Sequence, residues 1–159
     1  MRSLYIAQKL FSLWGTYDVA REDGTIAYTI KGSPSLTRKL TIYDGNGQPV
    51  GLVHQAFLSL LPCFEIIRNG EKLGTIQQKL TLLRPKLVMN YMGWQADGNV
   101  WGWDYEVRDD AGGLVGTIQT ELWHLSDHFS IHYEREEDAL PLLMLVLAID
   151  ALQDSASQG

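Results

Sequence analysis

Most of the chain consists of short runs rich in β-branched and aromatic residues, each broken by a polar stretch that carries glycine. Runs such as TIAYTIKG (25–32), KLTIYD (39–44) and WGWDYEVRD (101–109) read as strands. The breaks REDGT (21–25), DGNGQ (44–48), RNGEK (68–72), ADGN (96–99) and DDAGG (109–113) read as turns. An NG or DG pair between such runs is a strong hairpin signal. The pattern predicts about twelve short strands and no second helix of convincing length.

The pattern changes at the end, in YEREEDALPLLMLVLAIDALQD (133–154). Acids lead into eleven apolar residues, Ala139 to Ile149, with no polar face among them. Leucine, methionine and alanine favour a helix, Asp138 is the expected N-cap, and Pro141 falls in the first turn, where it forfeits no internal bond. The predicted helix covers about 139–152 and spans about 20 Å. A transmembrane span needs roughly 20 apolar residues, so this run is too short. A helix apolar all round is buried in protein or membrane. A two-layer packing would expose one side of it; a sheet curled around it would not. Asp150 and Asp154, one turn apart, are expected to share a wet edge near its exit.

An internal echo supports a curled sheet. IYDGNGQPVGLVHQAF (42–57), IIRNGEKLGTIQQKL (66–80) and VRDDAGGLVGTIQTEL (107–122) each run strand, glycine turn, strand. Gly51, Gly74 and Gly116 occupy matching places, and VAREDGTIAYTIKG (19–32) is a looser copy. Glycine inside a strand marks a bend, a bulge or a close backbone approach, which tight curvature requires. The expected fold is mainly β: a closed barrel of about twelve strands enclosing a hydrophobic C-terminal helix.

Composition bounds the rest. The 159 residues suit a single domain, 1–159, and 45 % hydrophobic content supplies a sizeable core. One cysteine excludes an internal disulfide and offers no zinc pair, which fits a reducing cytoplasm. Gln8 and Lys9 interrupt the N-terminal apolar stretch, so no secretory signal is read.

The opening LYIAQKLFSLWGTYDVAREDGTIAYTIKGS resembles that of LURP-one-related proteins. LTIYDGNGQPVGLVHQAFLSLLPCFEI, KLGTIQQKLTLLRPKLVM and the terminal LPLLMLVLAIDALQD continue the resemblance, over roughly residues 2–154. It implies a tubby-like fold, a twelve-stranded barrel around a hydrophobic helix, similar to phospholipid scramblases and to tubby proteins. Tubby binds phosphoinositides, whereas the resemblance implies no established activity for LURP-one-related members themselves.

Charge makes lipid a candidate ligand. Residues 1–91 hold eleven Lys or Arg against six acids, and residues 92–159 hold two against thirteen. Candidate anion-binding residues are Lys31, Arg38, Lys39, Lys79, Arg84 and Lys86; the competing reading is that they are solubilising edge charges. Net charge of −6 and the absence of a recognition module argue against nucleic acid.

Catalytic chemistry finds little support. His124, His128 and His132 are spaced by four, but FSIHY reads as a strand after an LSD turn, and no HExxH pattern occurs. DGNGQ lacks calcium-loop spacing, and no serine lies in a G-x-S-x-G elbow. Cys63 is expected to be buried and inert. Trp94, Trp101 and Trp103 are expected under hairpins, the alternative being an exposed platform. No catalytic residue, metal or cofactor is assigned. Two readings stand: a noncatalytic binding or structural barrel with a protein partner, or a protein that binds acidic phospholipid or phosphoinositide headgroups from the cytoplasm as a peripheral membrane protein.

Overall fold

The structure is a computed structural model that describes residues 1–7, 15–33, 38–57, 59–79, 82, 86–123 and 126–157. Twelve strands and one long helix follow in order: β1 (Arg2–Ala7), β2 (Thr16–Arg21), β3 (Ile26–Ser33), β4 (Lys39–Asp44), β5 (Pro49–Gln55), β6 (Cys63–Arg68), β7 (Glu71–Lys79), β8 (Lys86–Tyr91), β9 (Gln95–Asn99), β10 (Asp104–Arg108), β11 (Leu114–Trp123), β12 (Ser126–Tyr133) and α1 (Glu136–Ser157). One 3-10 turn, Val100–Gly102, separates β9 from β10.

All strands join one antiparallel sheet in the order β8-β7-β6-β5-β4-β3-β2-β1-β12-β11-β10-β9. The chain thus makes two meanders, β1–β8 and β9–β12, joined where β1 pairs with β12 from Arg2↔Tyr133 to Ala7↔His128. The sheet curls into a nearly closed barrel. Its seam lies between β8 and β9, where Trp94 packs edge-on against Tyr91 at 5.6 Å.

Inward positions alternate with outward ones, as a sheet around a core demands. Leu4, Ile6, Val19, Ile30, Ile42, Val53, Phe64, Ile66, Ile76, Ile118, Phe129 and Ile131 are all buried, against α1 residues that include Leu142–Ala148. Leu142 to Ile149 are at most 1 % exposed. This is the all-round burial that an apolar surface without a polar face requires.

The echo in the sequence is a bulged hairpin. Register shifts place one extra residue before each glycine: Val50 before Gly51, Leu73 before Gly74, Val115 before Gly116. In β3 the extra residue is Ala27, and Tyr28 takes the glycine's place. The glycines admit close neighbours. A Cβ on Gly51 would lie 2.6 Å from the Met144 sulfur, and one on Gly116 would lie 2.6 Å from Leu142 Cδ1 and 2.8 Å from the His132 carbonyl oxygen. A Cβ on Gly74 would meet the β8 backbone at 2.1 Å. Bulge and glycine together bend the sheet and let it close on the helix.

The helix is longer than expected at both ends. It begins at Glu136, so Asp138 is not the N-cap but a first-turn residue. Its N–H bonds the Arg135 carbonyl at 2.9 Å. Acids suit the positive end of the helix dipole, which allows the exposed Glu136 and Glu137 to continue the helix outward. Pro141 is therefore the sixth helical residue, inside the helix, and leaves the exposed Glu137 carbonyl without its usual donor. Its own carbonyl accepts the Tyr91 hydroxyl at 2.8 Å. At the far end, Gln153 donates to the Trp101 carbonyl at 3.2 Å and Asp154 pairs with Arg38, which anchors the last turns.

Candidate functional site

Because the helix occupies the lumen, the chemistry open to a ligand lies on the outer surface and the rims. The basic residues separate accordingly. Lys31 on β3 stands 4.9 Å above the Tyr43 ring, an outward cation–π contact that leaves an ammonium at the surface. Lys39 opens β4, faces outward, and is exposed. It lines a surface groove of about 370 Å³ with Thr41, Val50, Leu52, Ile67 and Asn69.

Lys79 and Lys86 are directly opposed across β7 and β8, both outward and exposed. Like charges directly opposite destabilise a strand pair. Neither lysine is in an ion pair among the described residues. From the register, Lys39 aligns through His54 and Glu65 with Thr75, four residues short of Lys79. With three strand spacings between them, Lys39 and Lys79 are about 20 Å apart. Lys31 with Lys39 and Lys79 with Lys86 are therefore two separate basic groups.

Arg38 turns inward. Its guanidinium, with a side chain 12 % exposed, pairs with Asp154 and reaches the Ala151 carbonyl at 3.4 Å. Arg84 lies outside the described residues.

This inner end of the lumen is polar. Asp150, expected at a wet edge, is only 9 % exposed. Burial, then the Asp154 carboxylate, raises its carboxyl to about 8, with Arg38 opposing. The Tyr105 phenol is pushed upward by burial and by Asp150. The Tyr105 hydroxyl, one Asp150 oxygen and the Ser155 hydroxyl lack hydrogen-bond partners among the described residues. The helix turn carrying Asp150 faces the sheet because α1 is enclosed on all sides, which leaves no wet edge at that level.

Among the described residues no three His, Cys, Asp or Glu side chains are grouped to hold a metal. His124 lies outside the described residues. Ser126 and Asp127, expected in a turn, begin β12, so the strand is longer than FSIHY suggests. His54 Nε2 stands 3.1 Å from Glu65, which Lys72 reaches at 3.3 Å. His132 is held between two serines: Ser3 Oγ lies 2.8 Å from Nδ1, and Ser130 Oγ 2.9 Å from Nε2. Ser3 and Ser130 are 5 % and 0 % exposed, so this Ser–His–Ser row ties β1 to β12 and offers no open nucleophile. Local spacing could not reveal it, because it depends on pairing the first strand with the last.

Cys63 is half-buried, not buried as expected, since it sits at the very start of β6. Burial and then Glu65 raise its thiol pKa, which keeps it a poor nucleophile. Trp94 is 6 % exposed, Trp103 stacks on Phe129 at 4.7 Å and Trp101 packs partly buried against the core, so these three form no exposed platform.

Comparison with known proteins agrees with this architecture. A family model described as LURP-one-related matches residues 2–150. The uncharacterized protein YxjI of Bacillus subtilis (strain 168) is 28 % identical over 152 residues, covering 94 % of this chain and 93 % of that protein. An X-ray structure of a protein from Arabidopsis thaliana superposes with a TM-score of 0.63 at 15 % identity, over 94 % of this chain and 90 % of the other. That likeness establishes the tubby-like barrel with its C-terminal helix. No helix among the described residues is long and apolar enough to cross a membrane.

Proposed function

For this chain, which belongs to the LURP-one-related family across residues 2–150, we propose a noncatalytic binding module that docks from the cytoplasm on membranes bearing acidic phospholipids. The observation that carries the reading is the filled lumen: Leu142 to Ile149 are at most 1 % exposed, so ligands are left the outer surface. That surface holds basic side chains at Lys31, Lys39, Lys79 and Lys86, each free of a carboxylate partner among the described residues. Ammonium groups of this kind attract anionic headgroups through charge-assisted hydrogen bonds and through the surface potential of the leaflet. The two serines of the Ser–His–Ser row are buried, which supports a role without catalysis.

Vesicle sedimentation tests the reading. The full chain is mixed with phosphatidylcholine vesicles with and without phosphatidylserine. Binding that rises with phosphatidylserine and falls with added salt is expected, because exposed charges are screened within a Debye length. Equal or absent binding on the two vesicle types overturns it, and a protein partner then becomes the better reading.

A further inference from the structure

Antiparallel order sends alternate connections to opposite rims of the barrel, and the two rims differ in chemistry. At the rim where α1 starts, the connections between β2 and β3, β4 and β5, β6 and β7, β8 and β9, β10 and β11, and β12 and α1 are short and polar. Their sequences hold five acids, Glu22, Asp23, Asp109, Asp110 and Glu134, against one base, Arg135. At the rim where α1 exits, the connecting sequences hold no acid, three bases, and a repeated leucine, phenylalanine and tryptophan content. The acid that the helix itself brings to this rim, Asp154, is paired with Arg38.

Three described tips stand out on the exit rim. Leu60 is 103 % exposed, Leu82 105 % and Phe57 74 %; at the opposite rim Met1 is 71 % exposed, and Ile26, Met92 and Leu114 are 42, 39 and 46 %. Phe57 and Leu60 lie between β5 and β6; Leu82 lies between β7 and β8. These two connections are neighbours: the Ala56 N–H bonds the Cys63 carbonyl at 2.8 Å, and the Gln78 N–H bonds the Pro62 carbonyl at 3.3 Å. Lys79 and Lys86, opposed across β7 and β8 and without an ion pair among the described residues, flank the connection that carries Leu82.

We infer that the exit rim is the face that meets the bilayer: Phe57, Leu60 and Leu82 enter the acyl boundary, and Lys79 and Lys86 take a headgroup phosphate between them. The inference rests on the lipid-surface reading above and adds its orientation and contact residues. Leu82 follows Lys79 by three residues, which places the tip at most about 10 Å beyond the ammonium level at 3.3 Å per residue. Interfacial apolar groups sit about 5–10 Å into the headgroup and acyl boundary, so lysines and tip match the two layers together. A shared phosphate turns the repulsion of two facing lysines into attraction. The tips are on connections, so they insert without disturbing the sheet, and the acidic opposite rim is held away from the anionic surface.

The test uses the full chain on phosphatidylcholine/phosphatidylserine vesicles, with circular dichroism to verify each fold. Lys79→Ala/Lys86→Ala should lower affinity about thirtyfold, since each basic side chain near an anionic surface is worth about fivefold. Leu60→Ser/Leu82→Ser should lower it about tenfold or more. Lys72→Ala, at the opposite end of β7, should leave it within about twofold of the parent. An environment-sensitive fluorophore at Leu60→Cys, in a Cys63→Ser background, should shift to the blue on binding and be quenched by acyl-chain spin labels. If Leu60→Ser/Leu82→Ser binds like the parent, or the fluorophore is neither shifted nor quenched, rim insertion is overturned. If Lys72→Ala weakens binding as much as Lys79→Ala/Lys86→Ala, the orientation is overturned while the lipid reading stands. A parent that binds no vesicle removes both.

Discussion

Replacing Asp150 with asparagine probes the lumen at a single atom. Asp150 is 9 % exposed, and one of its carboxylate oxygens has no partner among the described residues. Burial, then Asp154 one turn on, moves its carboxyl from 3.8 to about 8 against the pull of Arg38. Tyr105, pushed upward, keeps its proton across the same range. Below about pH 4 the carboxyl is protonated in the folded and the unfolded chain alike, and stability does not depend on it. Between about pH 4 and 8 the folded chain holds a proton that the unfolded chain has released, so stability falls as pH rises. Above about pH 8 the folded chain carries the buried charge and the loss is complete. At about 1.36 kcal/mol per unit, an excursion of about four units corresponds to about 5–6 kcal/mol, of which about 4 kcal/mol is lost by pH 7. Typical domains are stable by about 5–15 kcal/mol, so this is a large fraction of the whole. Asp150→Asn removes the titration. It should match the parent near pH 4 and exceed it by several kcal/mol at about pH 9, in urea unfolding followed by tryptophan fluorescence. A difference between the two that stays constant with pH, or an asparagine variant weaker than the parent at about pH 9, refutes the reasoning.

Deleting residues 136–159 should abolish cooperative unfolding and native sheet signal in circular dichroism, because single buried leucines each contribute about 2–5 kcal/mol and the barrel has no other filling; a deletion variant that melts near the parent's temperature would make α1 an appendage. The bulge glycines should rank by what faces them: Gly116→Ala meets the His132 carbonyl and Leu142 and should cost about 1–3 kcal/mol, while Gly51→Ala meets at close range only the sulfur of the unbranched Met144 side chain and should cost less than about 1 kcal/mol, as read by thermal melting.

The helix could be read from sequence because its signal is local: eleven apolar residues in a row admit few explanations. Its start could not be placed, because Glu136 and Glu137 have no apolar period and join α1 only through helix electrostatics. The bulged hairpins were visible as repeated glycines, since bulge, turn and glycine lie within one short window. Hidden features depend on residues far apart in the chain. Arg38 looked like a surface cation until the helix brought Asp154 beside it. His132 looked isolated until β1 supplied Ser3. Asp150 looked solvated because polar residues near a helix exit usually are; only the closed sheet buries it. The rim chemistry was present in the sequence, but it emerges only once the connections are sorted by the rim they cross.

The pairing of β1 with β12 also determines when the molecule can become whole. On the ribosome the first eight strands emerge as a meander whose inner face has nothing to rest on. That face waits for the remaining four strands, and then for α1, which follows them in the chain. Contacts between the two ends of a chain are slow to form, because the entropy of closing the loop comes before any reward. A chain in which β12 and α1 have not yet joined the sheet therefore carries an uncovered apolar face, and that exposed intermediate is built into the order of its elements.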